Sequence, residues 1–418
     1  MRLEEILFLM YQQWMLYALS LIINILLCWV FFKRYIKSFI DPLFFRVIGV
    51  CFANTIPLFM WMCGAIKEEY FVAFIVLEVC FWVGFLLNKP KPQVKIRVTG
   101  NNRRMYYLLF LYSVIIIVLF RLFFYLNYGI PLLMENRADK YLGAEGLGGL
   151  DRLTYVLEFY CLIYSFAHFK TQIPRVRLLS RFYLVMFAMF CVFEGAKGAI
   201  ISVLGPLFFY VCYIKETKLT FKRVLLMGII VLGVAIVVML VQGSSQDTVL
   251  TSLLLRFMMF GDVYYEGFGT EAVTVVKVLH PIKDLLVNLL APFRLMDYNA
   301  GVDVAPTIQI HWYVYPELSD INGGPNNRVP FLYYCFFGTL VGSILSFITG
   351  FLVSKVMYNT FKYLKKNLLG LSIYASIYTI ACGFITDPIM AISSIPSIIF
   401  GYFFLVFVYL ISKSSAKV

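Results

Sequence analysis

The sequence predicts an all-α polytopic membrane protein with about eleven transmembrane helices, ten to twelve allowing for boundary error. Three observations predict it. Apolar residues make up 61% of the 418 positions and charged ones only 14%, against roughly 45–50% and 25% in soluble domains. The apolar residues also fall in long continuous runs, as helical spans of a bilayer require. Finally, the charges between the runs alternate in sign from loop to loop. Soluble folds cannot hide this much apolar surface, and disordered chains are poor in such residues.

The expected spans, in order, are 12–32, 42–65, 70–88, 106–128, 153–169, 182–193, 199–214, 224–242, 331–354, 368–386 and 391–412. Their runs are unbroken rather than alternating, which favours helices over an outer-membrane barrel. The first run has no small-residue cleavage site behind it and is followed by Lys33 and Arg34, so it reads as a retained span.

Loops on one side carry 23 basic residues and 2 acidic ones, a sum of +21; the other side carries 11 and 19, a sum of −8. Arg46, Glu78, Arg121 and Glu158 lie inside spans and cancel, which leaves the net +13. So lopsided a division places the basic loops and the C-terminus in the cytosol. The net charge is therefore a topology signal, and no nucleic-acid partner is expected. The nine cysteines fall in or at the ends of spans, where they read as packing residues.

The basic loops are short and leave no room for a nucleotide-binding domain. No G-x-x-x-x-G-K-[ST], Asp-x-Asp or H-E-x-x-H pattern occurs. The other face has a medium loop, 129–152, and a long one, 243–330, predicted to be a partly helical cap over a membrane cavity. Leu250, Leu253, Leu254, Phe257 and Met258, then Leu285, Leu286, Leu289 and Leu290, have the spacing of interfacial helices. Asn299-Ala300-Gly301 and the tract from Asn322 to Asn327 divide them.

Charges within this frame need partners or a wet cavity. Arg121 and Glu158 lie at similar depth, so they form either a structural pair or an anion site; Glu78 is another possible partner of Arg121. Arg46, one turn from the basic end, is expected to snorkel. Between the sixth and seventh spans, Glu194-Gly195-Ala196-Lys197-Gly198 is either a tight turn or a Gly-flanked cation facing an anion. In the long loop, Asp262 and Glu266 are four apart and share a face if a helix continues past Gly261. Arg256, Lys277, His280, Arg294, His311, Trp312 and Arg328 complete the polar set. Arginines suit phosphate oxygens, and carboxylates or His311 can take a proton from a sugar hydroxyl. Tyr264, Tyr265 and Trp312, with Tyr313 and Tyr315, offer rings for stacking on pyranoses. No spacing reads as a metal site.

These features together resemble the Wzy-type polymerases of O-antigen and capsular polysaccharides. The resemblance is carried by Tyr128-Gly129-Ile130-Pro131, the stretch from Gly143 to Gly149 and the break from Glu194 to Gly198. It continues in the long loop, entered through Arg256 and left through Gly324 to Arg328 and Tyr333-Tyr334-Cys335-Phe336-Phe337-Gly338. It spans about residues 100–350 and rests on architecture more than on a strict motif. It implies a GT-C-like glycosyltransferase of the bacterial inner membrane, with its large loops periplasmic. Such an enzyme moves a growing glycan from undecaprenyl pyrophosphate onto the non-reducing end of an incoming lipid-linked repeat unit. No metal, cofactor or nucleotide sugar is implied; a flippase and a chain-length regulator are the implied protein partners. On this reading Arg121, Lys197, Arg256, Arg294 and Arg328 bind pyrophosphate, and Asp262 or Glu266, ahead of His311, is the base. An O-antigen ligase-like transferase or a lipid-linked oligosaccharide flippase is the alternative.

Overall fold

The computed structural model describes residues 1–90, 94–96, 103–134, 148–195, 202–215, 221–241, 255, 257, 259–276, 280–297, 304–319 and 324–416. The helices are α1 (Leu3–Gln12), α2 (Trp14–Phe32), α3 (Pro42–Met62), α4 (Glu68–Leu86), α5 (Arg103–Tyr128), α6 (Gly148–His168), α7 (Pro174–Phe193), α8 (Leu204–Tyr210) and α9 (Phe221–Val241). After these come α10 (Asp262–Gly267), α11 (Ala272–Val275), α12 (Pro281–Leu290), α13 (Pro306–Val314), α14 (Val329–Tyr363), α15 (Leu368–Gly383) and α16 (Pro388–Ser415). No strand occurs among the described residues.

Seven of these helices, α2, α3, α4, α5, α7, α14 and α16, are long and apolar enough to cross a membrane. The other four expected spans fall on α6, on α8 with the π-helical turn Val211–Lys215, on α9 and on α15. Caps fix several starts. The Asp41 carboxylate accepts from the Leu43 amide at 3.0 Å ahead of Pro42, and Asp387 accepts from the Met390 amide at 3.0 Å ahead of Pro388. In both, the acidic cap and the proline that needs no amide partner coincide.

Helices α4 and α14 make the closest packing in the bundle. A Cβ added at Gly84 would collide with the Phe347 carbonyl, and one at Gly350 with the Phe81 carbonyl. The two glycines thus let the backbones touch, which is how apolar helices associate where water supplies no driving force.

Two features differ from the predicted topology. First, α14 is not one rod. Gly338 has φ 67° and ψ −173°, a conformation open to glycine and costly for other residues. A straight helix would hold Tyr333 and Thr349 about 24 Å apart, yet their hydroxyls lie 2.8 Å from each other. Residues 329–337 therefore fold back against the rest of the helix. Second, the long loop does not simply lie over the bundle. Its stretch 259–269 runs along α3, with Phe260 against Gly49, Gly261 against Ala53 and Ile56, and Gly269 against Met60. Glycine at 261 is what permits this: a Cβ there would sit 2.8 Å from the Ala53 carbonyl oxygen. Around it Ile56, Phe59, Tyr70, Phe74, Tyr264, Tyr265, Phe268, Ile310 and Phe331 form a second apolar core beside the main one.

Candidate functional site

The fold-back at Gly338 and the inserted stretch 259–269 bring Arg328, Asp262, Glu266 and His311 into one region. Arg328 precedes α14 and is only 2% exposed. Its Nε and Nη2 donate to the Phe260 carbonyl at 3.1 and 2.7 Å, and Nη2 also donates to the Gly49 carbonyl at 3.2 Å. The third nitrogen, Nη1, is buried without a hydrogen-bond partner among the described residues. Glu78, Asp262 and Asp387 are near enough to act on the guanidinium electrostatically, but no described carboxylate reaches ion-pair distance. An unmade hydrogen bond in such a place costs about 1–3 kcal/mol, and more for a charged donor. An anionic oxygen delivered to Nη1 would relieve that cost.

Helix α10 begins directly after Gly261 and carries Asp262 and Glu266 on one face, as their spacing predicts; both are buried. Asp262 accepts from the Val263 amide at 2.9 Å. Burial, reinforced by Glu266, pushes its carboxyl up to about 7. Glu266 Oε2 lies 3.0 Å from His311 Nδ1 on α13, and this hydrogen bond, opposed by burial, holds the imidazole above its ordinary range. The cluster thus contains a carboxyl poised near neutrality, a histidine biased toward its cation and an arginine with a spare donor. Such a set can remove a proton at one atom and stabilise negative charge at another. Above it, α1 closes the region: the Leu3 amide donates to the Tyr315 hydroxyl at 2.7 Å, and Arg2 approaches Glu317 at 3.8 Å.

Other expected site residues are placed elsewhere. Arg121 lies between Glu158 at 3.0 Å and Glu194 at 2.5 Å. Both terminal nitrogens face carboxylates, so the structural pairing holds and extends to Glu194. Glu78 does not join it; Glu78 accepts from Asn54 at 2.5 Å and Trp82 at 2.7 Å. Arg46 does not snorkel, because its Nη1 donates to Thr386 at 2.8 Å inside the bundle. Tyr264 and Tyr265 are 0% and 2% exposed, with Tyr264 packed against Phe74 and Phe268, so their rings serve the core and offer no face to a sugar. Trp312 is half-buried on α13. Arg294 is exposed, with φ 58° after the turn Ala291–Phe293. Lys197 and Arg256 lie outside the described residues.

Asn54 and Asp387 do not figure in the expected site, and Glu78 figures there only as a partner of Arg121. Asp387 was legible only as a helix cap before Pro388, and Asn54 as one polar residue in an apolar run. Among the described residues no disulfide joins any of the nine cysteines. Among the described residues no group of three or more His, Cys, Asp or Glu is placed to hold a metal ion. No known family model matches the chain, and neither does any curated protein or solved structure.

Proposed function

We propose that this chain is a glycan polymerase of the Wzy type, acting on undecaprenyl-pyrophosphate-linked repeat units at the periplasmic face of a bacterial inner membrane. The observation that carries the reading is the buried guanidinium of Arg328, with Nη1 unpartnered, next to Asp262 and the Glu266–His311 pair. The reading includes eleven spans in a GT-C-like arrangement, periplasmic loops at 129–152 and 243–330, and a cytosolic C-terminus. The +21 against −8 division of loop charge supports that orientation.

In the transfer, a hydroxyl of the incoming repeat unit attacks the anomeric carbon of the growing glycan. The bond from that carbon to the pyrophosphate oxygen breaks, and undecaprenyl pyrophosphate leaves with the electron pair. Asp262 takes the hydroxyl proton, a task for which a carboxyl near pH 7 is suited. Arg328, helped by the cationic form of His311, neutralises the leaving pyrophosphate. Because the cluster is buried, the substrate reaches it only when α1 and α13 yield.

Deletion of the gene, followed by gel analysis of surface glycans, tests the reading. A polymerase predicts loss of the ladder with one repeat unit still attached to its final acceptor. Complete absence of attached repeats points instead to a ligase-like transferase or a flippase.

A further inference from the structure

Near the start of α3 lies a cavity of about 210 Å³, lined by residues that the proposed reaction does not use. Its walls come from the α2–α3 connection, the turn Val211–Lys215, the end of α14 and the start of α15. Tyr213, Tyr358, Phe361 and Tyr374 form a buried aromatic floor. Lys37, Lys362 and Lys366 stand on the rim, open to solvent.

Three observations point to an anion. The ammonium groups have no carboxylate within ion-pair distance among the described residues; Lys366 sits 3.8 Å over the Phe361 ring and Lys37 5.9 Å over Tyr213. Asp41, the acid that acts on Lys37 among the described residues, is fully buried and accepts from the Lys37 and Leu43 amides and the Tyr378 hydroxyl. Tyr358 lines the cavity, and its hydroxyl is buried with no hydrogen-bond partner among the described residues. The space is smaller than the roughly 300 Å³ at which pockets begin to hold drug-sized ligands, so it suits a headgroup rather than a nucleotide. Phe39 and Tyr363, 51% and 79% exposed beside Lys37 and Lys362 in the chain, are the amphipathic rings that favour a membrane interface.

We propose that this bowl binds the phosphate headgroup of an anionic phospholipid, with the lysines on the phosphate and the Tyr358 hydroxyl donating to one of its oxygens. Basic pockets between spans on the cytoplasmic side bind lipid headgroups in this way. The site is independent of the glycan chemistry and stands or falls without it.

The test is binding of dioctanoyl phosphatidylglycerol to the purified full-length chain in a neutral detergent, read by Tm and tryptophan fluorescence, with dioctanoyl phosphatidylcholine and inorganic phosphate in parallel. The glycerol lipid should bind at least about tenfold more tightly than the choline lipid, since each lysine near the surface contributes attraction. Changing Lys37, Lys362 and Lys366 together to Gln should weaken it roughly tenfold to a hundredfold. Tyr358→Phe, which keeps the ring, should weaken it severalfold even if the triple variant fails to fold. Equal affinity for the two lipids, or a Tyr358→Phe protein with unchanged affinity and a triple variant that binds normally, would overturn the site. Inorganic phosphate binding as tightly as the lipid, and lost in the same variants, would replace the lipid by a soluble phosphate.

Discussion

His311 Nδ1 lies 3.0 Å from Glu266 Oε2, so two helices are joined through residues 45 apart in sequence by one partly buried hydrogen bond. The bond locks α13 onto α10 at the point where Asp262 is pushed up to about 7.

Both groups make stability depend on pH in the same direction. Each is raised in the folded protein: Asp262 by burial, His311 by its hydrogen bond to Glu266. A group raised on folding contributes stability that is complete below its unfolded pKa and lost as pH rises through its folded one. For Asp262 the loss runs from about pH 4 to just above 7, and for His311 from about 6.5 upward. Thermal unfolding in detergent should therefore show Tm falling between pH 6 and 8. In Asp262→Asn the slope should flatten; an unchanged slope would remove Asp262 from the titration.

The Gly84 and Gly350 contacts give a second expectation. A methyl group at either position meets backbone carbonyls of the facing helix, which cannot step aside as a side chain could. Gly350→Ala should destabilise the protein by about 1–3 kcal/mol, in the range of overpacked cores. Gly228→Ala on α9, with no described residue within 4 Å of the added Cβ, should be neutral or stabilising. Comparing the two Tm values in detergent checks the pair.

The Arg121 triad gives a third. Removing Arg121 takes its ion-pair partner from Glu158 and Glu194, whose side chains are only 13% and 21% exposed. Breaking a buried pair from one side costs about 3–5 kcal/mol. Arg121→Ala should lower the amount of inserted protein, and adding Glu158→Gln with Glu194→Gln should restore part of it. Failure of the double neutralisation to help would mean that Arg121 acts on something other than these carboxylates.

Much of this arrangement was legible in the residues. The apolar runs all fall on helices, and the four-residue spacing of Asp262 and Glu266 does place both on one face. What was hidden depends on backbone events that composition does not record. Gly338 falls inside the expected span 331–354, yet its φ of 67° folds 329–337 back and buries Arg328. The sequence left open whether a helix continues past Gly261, and its missing side chain lets 259–269 pack on α3. That packing also explains why Tyr264 and Tyr265 became core. Long-range partners such as Arg46 with Thr386, 340 residues apart, follow only from the assembled bundle.

The most direct measurement is chain growth and release of undecaprenyl pyrophosphate by purified protein in proteoliposomes supplied with a lipid-linked repeat unit. Wild type should extend the glycan and release one carrier pyrophosphate per bond formed. Asp262→Asn, inserted and folded with a Tm no lower than wild type, should be slower by about 10²–10⁴, the usual contribution of a positioned general base. Chain growth at the wild-type rate from folded Asp262→Asn would contradict the assignment of proton transfer to this cluster, and absence of any transfer by wild type would contradict the polymerase itself.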